Sequence, residues 1–184
     1  MRKRKGFTLI ELAVVLVIIG ILMGAVLRGQ ELIKSAKEKK FFAKLRYIAS
    51  AQLTYLDRFG RYAGDNDNPP DGIIDGTHDP PQSCNCDSLS ISSNAWCLLY
   101  CQQLLHLNDA FHAFHGQFSF QGGASPYPNY NRINATRVPC WVAQSIDSKI
   151  DDGIANSGNV QWTGGDYCPS DPNNAATLRW WFDR

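Results

Sequence analysis

Residues 1–27, MRKRKG followed by FTLIELAVVLVIIGILMGAVL, decide the architecture of this chain. Arg2, Lys3, Arg4 and Lys5 lead to Gly6, and an apolar run from Phe7 to Leu27 follows with one charge in it, Glu11. A helix of about 20 apolar residues spans a bilayer, so this run is long enough. The positive-inside rule keeps the basic leader in the cytoplasm. A carboxylate within lipid is costly, so Glu11 is expected to face a partner and do a job. A secretory signal peptide has a shorter apolar core and a small-residue cleavage site at its far end. Here the run is 21 residues long, with Gly20 and Gly24 isolated inside it. A plain membrane anchor explains all of this except Glu11 and the basic-Gly-Phe junction.

Lys5-Gly6-Phe7-Thr8-Leu9-Ile10-Glu11 resembles the processing site of type IV pilins and of the pseudopilins of type II secretion systems. The resemblance implies that a prepilin peptidase cuts after Gly6 and that the new first residue, Phe7, is N-methylated. Glu11 then takes the family's fifth mature position. The physical logic is charge pairing: the new α-amine of one subunit is neutralised by Glu11 of a neighbour, and two buried charges tolerable together are costly apart. The resemblance covers residues 1 to about 62 strongly and the rest loosely. One departure is clear, since many major pilins break this helix with a proline and residues 1–68 hold none. Gly29-Gln30-Glu31-Leu32-Ile33 is instead similar to a group of other pilin-like proteins.

The periodicity predicts that the helix continues beyond the membrane. Between Gly29 and Phe59 the apolar residues Leu32, Ile33, Ala36, Phe41, Leu45, Ile48, Ala49, Leu53 and Leu56 recur at roughly helical spacing, with Lys34, Lys37, Lys39, Lys40 and Lys44 on the polar part. One long helix ending near Phe59-Gly60 is expected, its lysines forming a solvated face or meeting acidic surfaces of neighbouring subunits. Charge is unevenly spread: residues 28–62 hold nine Lys or Arg against three acids, and residues 63–184 hold five against thirteen. Without the four leader charges, 14 basic and 17 acidic side chains remain, a net of −3. An acidic head on a basic stem argues against a globally nucleic-acid-binding protein.

Beyond Tyr62 the segment Gly64-Asp65-Asn66-Asp67-Asn68-Pro69-Pro70-Asp71-Gly72-Ile73-Ile74-Asp75-Gly76 is dense in side-chain oxygens. Calcium takes six to eight oxygens from a flexible loop. Asp67, Asp71, Gly72 and Asp75 have EF-hand-like offsets, but Pro69 and His78 occupy ligand positions and break the motif. Two readings stand: calcium held by Asp65, Asp67, Asp71 and Asp75, or a turn-rich connector built from the same turn-forming residues. A second acidic turn, Ile146 to Gly153 with Asn156-Ser157-Gly158 after it, also resembles that pilin-like group. Asp147 and Asp151, four apart, share one face of a helical turn; a cap-and-turn role, a metal or an intersubunit contact is open there.

Cys84, Cys86, Cys97, Cys101, Cys140 and Cys168 all follow the membrane segment, where exported thiols oxidise, and their number is even. Three disulfides are expected, with zinc as the competing reading because His106, His112 and His115 lie nearby; no standard zinc spacing is present. The resemblance implies Cys140 with Cys168, closing a C-terminal loop like that of many pilins, with Cys84 and Cys86 bonding Cys97 and Cys101 in some order.

A helix is predicted over Trp96 to His115, and short strands over 117–120, 137–142, 160–162 and 177–182, the last as a closing edge. The tail Arg179-Trp180-Trp181-Phe182-Asp183-Arg184 has the aromatics and arginines of a single-stranded DNA binder, but packing of this tail in the sheet is favoured because the head is acidic. No phosphate loop, nucleophile elbow or other catalytic signature is present, so no enzyme is expected. The expected fold is α+β and pilin-like: a long N-terminal helix on a small antiparallel sheet with a disulfide-rich, loop-rich head. The expected divisions are residues 1–6 as cleaved leader, 7–27 as membrane and filament-core helix, 28–60 as stem and 61–184 as head. The expected role is a structural subunit of a type IV pilus-like filament, of the minor-pilin kind, with a type II pseudopilin or a tip adhesin or DNA-binding pilin as alternatives. Its expected partners are other pilin subunits, the prepilin peptidase, an inner-membrane assembly platform and membrane lipid, with nucleic acid not expected. It is placed in a bacterial inner membrane as a single pass with a periplasmic head, then in a pilus or pseudopilus.

Overall fold

The first 50 residues of the described chain contain no proline, and the backbone is one uninterrupted helix, α1, from Leu9 to Phe59. The computed structural model describes residues 8–163 and 175–184. The chain divides between Lys39 and Lys40 into two units. The first carries the apolar side chains of α1 in the open: Leu9 is 90% and Leu16 68% exposed. In the second, the buried α1 residues are Phe41, Leu45, Ile48, Ala49, Ala51, Gln52 and Tyr55. Their spacing of three and four puts them on one stripe, which packs on the sheet and the shorter helices.

The remaining elements are β1 (Thr77–His78), α2 (Ala95–Cys101), β2 (Phe118–Gln121), β3 (Arg132–Pro139), α3 (Cys140–Ile150), β4 (Val160–Trp162) and β5 (Ala175–Trp181). The sheet is antiparallel throughout, in the order β1-β2-β3-β5-β4. Register aligns Phe120, Ile133, Trp180 and Val160 across it, and this apolar face supplies the core with Phe118, Ala135 and Leu178. The α+β architecture is therefore the expected one.

Four local expectations change. The segment after Trp96 is helical only to Cys101. Gln103 takes φ 59°, with Gln103 N–H donating to Tyr100 O and Leu104 N–H to Leu99 O, which is the Schellman termination that glycine usually signals. The strand expected over 137–142 ends at Pro139, which caps α3 at its N-terminus and has no N–H to continue a ladder. β5 is interior, between β3 and β4, and the three-residue β4 forms the edge. Lys44 is not on a freely solvated face: its Nζ donates to Asn108 O at 3.2 Å and Phe111 O at 2.8 Å and lies 3.5 Å from Asp109.

Candidate functional site

Thr8 and Glu11 are three apart at the start of α1, the spacing of a capping box. Glu11 Oε2 accepts from Thr8 N–H at 2.7 Å and from Thr8 Oγ1 at 2.9 Å, while Glu11 N–H donates to Thr8 Oγ1 at 3.4 Å. The carboxylate is thereby held at the positive end of the helix dipole, where negative charge is favoured. Around it Ile10, Leu12, Val14 and Val15 are exposed apolar side chains. Among the described residues α1 is the one helix long and apolar enough to cross a membrane. Gly6 and Phe7 lie outside the described residues.

The loop after α1 is tied down by its own carboxylates. Asp65 is fully buried, and its oxygens accept from Gly72 N–H at 3.0 Å and Asp67 N–H at 3.3 Å. Asp75 accepts from Asn66 N–H at 2.6 Å, and Asp71 accepts from Ile73 N–H at 2.8 Å. The Arg61 guanidinium crosses to the carbonyls of Asp65 and Asp67. Ile74 is fully buried, its N–H donating to Asn131 Oδ1 at 2.7 Å, so the loop is anchored to the start of β3. The charges of Asp75, Asp71 and Asp65 push the Asp67 carboxyl above its ordinary range, Asp75 most strongly, aided by loss of hydration. The structure thus brings the four aspartates into one electrostatic neighbourhood. Three of them are also spent on turn-type bonds to backbone N–H groups. The negative charge of the loop fits a cation, but no three of its carboxylates gather their oxygens within 4.8 Å.

That tighter grouping occurs at the second acidic turn. Ligand atoms of Asp147, Asp151 and Asp152 lie within 4.8 Å of one another, on the last turn of α3 and just after it. Asp151 caps α3 and accepts from Val160 N–H at 2.7 Å, fastening the helix end to β4. Asp152 accepts from Ile154 N–H and Ser157 Oγ, and the Ser157 bond, followed by that from Ile154, holds its carboxyl below the ordinary range. Gly158 has φ +69°, and a Cβ there would sit 2.0 Å from Asp151 Oδ2, so the turn needs glycine on two counts. The arrangement performs the cap-and-turn role that its sequence suggests.

With the helix, its carboxylate and the loops placed, the comparisons bear on the first of them. Residues 1–27 match the model of the prokaryotic N-terminal methylation motif. The chain carries a type IV pilin-like prepilin segment. No curated protein and no solved structure shows a match to the chain. A segment of this kind is found on pilin- and pseudopilin-type proteins, and it implies a membrane-anchored structural subunit that assembles with other pilin subunits after a prepilin peptidase has acted.

Beyond this segment, in the head, the cysteines stabilise a region poor in regular structure. Cys84 bonds Cys97 and Cys86 bonds Cys101, an interleaved pair that staples the irregular segment after β1 to α2. Those four sulfurs are consequently not offered as zinc thiolates. Cys140, at the start of α3, is also disulfide-bonded, and Cys168, its implied partner, lies outside the described residues. The three histidines are dispersed in role. His106 precedes a 3-10 turn at Leu107–Ala110, with its N–H on Asp109; His112 is buried and bonds Thr136 O at 2.9 Å; His115 is exposed at φ 60°. The C-terminal tail offers no open aromatic platform, because Trp181 is 1% exposed and Trp180 is half-buried against the core.

Two residues that serve these sites carry little sequence signal. Gln52 sits on the apolar stripe of α1 and is fully buried, its Nε2 donating to Ala63 O at 3.2 Å and its Oε1 accepting from Ala63 N–H at 3.0 Å. It clamps the chain where it leaves α1 and enters the acidic loop. Asn131 joins Ile74, Gly72 and the Asp183 carboxylate, closing the C-terminus onto that loop. A glutamine four residues after Ile48 is the one available clue to the first; the second has none.

Proposed function

We propose that this protein is a minor pilin, a structural subunit of a type IV pilus-like filament. It is held first in the inner membrane as a single pass with a periplasmic head. Prepilin peptidase cuts between Gly6 and Phe7, Phe7 is N-methylated, and an assembly platform in the inner membrane delivers the subunit to the fibre. The observation that carries this reading is the exposed apolar face of α1 with Glu11 as its only charge before Arg28. Such a face is stable in lipid or against copies of itself, and the carboxylate supplies the register by neutralising a neighbour's amine. The minor role is supported by a helix without the proline of many major pilins and by a head built on disulfides and loops.

Glu11→Leu tests the mechanism. The variant is expected to insert and be cleaved like the parent but to be absent from sheared filaments, measured by quantitative mass spectrometry of filament and membrane fractions. Normal incorporation of Glu11→Leu defeats the registration role. An N-methylated Phe7 peptide at trace abundance in the sheared fraction marks a minor or tip subunit, and major abundance marks the principal pilin. Processed protein confined to membranes favours the second reading, a pseudopilin of a type II system, which the mutual repulsion around Asp67 supports if that loop takes calcium. The tip-adhesin or DNA-receptor reading would rest on an open aromatic tail, and the burial of Trp181 weakens it.

A further inference from the structure

Two positions of the head that favour glycine hold cationic or donor side chains instead, and both open onto one cavity. Arg137 and His115 take φ 55° and φ 60°, in the left-handed region that glycine enters at no steric cost. Histidine is enriched there among residues with side chains, and arginine is not. Arg137 belongs to a bulge of β3: from Ala135 to Val138 the strand advances three residues while β5 advances two, Leu178 to Ala176. A bulge re-aims a side chain, and its left-handed residue is ordinarily glycine. His115 lies in the turn that joins Phe111 to Gln117, its N–H donating to His112 O at 3.1 Å. The next residue, Gly116, has no room for a side chain, since a Cβ there would collide with Thr136 O. The turn thus uses glycine where sterics demand it and keeps His115 and Arg137 where sterics only favour it. Strained residues that persist in this way cluster at ligand clamps.

Phe111, His115, Gly116, Gln117, Thr136 and Arg137 line a cavity of about 510 Å³. That is within the roughly 300–1,000 Å³ of small-molecule sites. Phe111 is 53% exposed, and His115 and Arg137 are exposed as well, so a solute reaches all three from solvent. The floor is fixed by its own hydrogen bonds. Thr136 N–H donates to Gln117 O at 3.0 Å, and Gln117 N–H donates to Thr136 Oγ1 at 3.1 Å. His112 Nδ1 accepts from Phe114 N–H at 3.3 Å, so Nε2 carries the proton and donates to Thr136 O at 2.9 Å. The His112 ring meets Phe41 at 4.9 Å and Phe118 at 5.0 Å, which ties the turn to the core. The walls differ. Among the described residues neither the Arg137 guanidinium nor the His115 imidazole makes a hydrogen bond or an ion pair. Asp79 and Asp109, the acids bonded to neighbouring groups, face Gln117 Nε2 at 3.5 Å and Lys44 instead.

A guanidinium and an imidazole N–H that both stand open call for an anion, and the planar fork of arginine matches a carboxylate. An aromatic ring half in solvent on the same cavity calls for an apolar body on that anion, and rings pair best with rings. We propose that this cavity binds an aromatic carboxylate, its carboxylate on Arg137 and His115 and its ring against Phe111. The rigid floor holds the donors in place before the ligand arrives, and the strained backbone at 115 and 137 keeps their side chains at the cavity. The site lies wholly in the head, is independent of the filament role and gives the head a ligand chemistry of its own.

The test is titration of the full processed chain in a non-ionic detergent, followed by NMR of the histidine ring protons, with phenylacetate, phenylacetamide and acetate as probes. Phenylacetate is expected to shift the His115 resonances, assigned through their loss in His115→Asn, saturably and at one per chain. Phenylacetamide lacks the charge and acetate lacks the ring, so each is expected to bind about tenfold more weakly or not at all. Arg137→Gly is the deciding variant, because glycine suits both the bulge and the positive φ. It should weaken phenylacetate about tenfold or more, while the thermal midpoint without ligand is unchanged or rises by up to about 4 °C. An arginine kept for the fold would give a lower midpoint instead. Absence of a saturable shift at His115, equal binding of the amide or of acetate, unchanged affinity in Arg137→Gly, or a lowered midpoint in that variant each overturns the assignment.

Discussion

Replacing Gln52 with leucine isolates the clamp at the top of α1. The two side chains are close in volume, so the substitution removes polarity without opening a large cavity. Both backbone groups of Ala63 lose their partner, and Ala63 is fully buried, with no solvent to replace it. An unsatisfied buried backbone group costs about 1–3 kcal/mol, so the pair costs about 2–6 kcal/mol. Leucine returns roughly 1 kcal/mol through better transfer of its side chain to the apolar stripe, leaving a loss of about 1–5 kcal/mol. Against a total stability of roughly 5–15 kcal/mol for a domain this is a large fraction. At about 2–4 °C per kcal/mol, thermal unfolding followed by circular dichroism should shift down by roughly 2–20 °C. Gln52→Glu keeps the acceptor for Ala63 N–H but cannot donate to Ala63 O when ionised, and it buries a charge, so it should fall at least as far. A Gln52→Leu protein within about 0.5 kcal/mol of the parent would refute the reasoning, because the Ala63 groups would then be satisfied without the side chain.

The other predictions concern the acidic turns and the buried histidines. Gly158→Ala should cost about 2–4 kcal/mol in thermal unfolding, since it combines a left-handed residue with displacement of Asp151 from Val160 N–H, whereas Gly72→Ala, at φ +84° with open space around it, should cost only about 1 kcal/mol. His112 has its pKa lowered from 6.5 to about 4, by burial first, so the folded chain holds fewer protons than the unfolded one between these values. Stability should therefore be full above about pH 6.5 and decline as pH falls towards 4, with His78 acting in the same direction, and His112→Gln should flatten much of that slope in thermal midpoints measured across pH. If the loop of Asp65, Asp67, Asp71 and Asp75 takes calcium, the ion at about 100 times its Kd should stabilise the head by about 2.7 kcal/mol, reversed by chelator. Asp67→Asn should abolish that gain; loss in Asp152→Asn instead, with Asp67→Asn unaffected, would move the metal to the second acidic turn.

How far the chain can be read without its fold depends on the range of the interactions. α1 is legible because its determinants are local: a threonine and glutamate three apart to start it, no proline within it, and an apolar stripe that runs to Tyr55. The charge contrast between stem and head is likewise composition. The end of α2 is hidden because Gln103, not glycine, adopts the left-handed termination, and the trade between Pro139 as strand residue and as helix cap is decided by what α3 packs against.

The sequence by itself determined the membrane-length helix, its single carboxylate at the fifth position of the apolar run and the α+β class, because these follow from periodicity, spacing and composition along the chain, while the prepilin character of residues 1–27 rests on their resemblance to a known motif. Tertiary structure alone decided that β5 lies inside the sheet, that Cys84 pairs with Cys97 and Cys86 with Cys101, that Lys44 binds Asn108 and Phe111, and that Phe111, His115 and Arg137 line one cavity. Each of these joins residues far apart in the chain, and which distant strands pair, in which register, is set by the packing of the whole core rather than by any local signal.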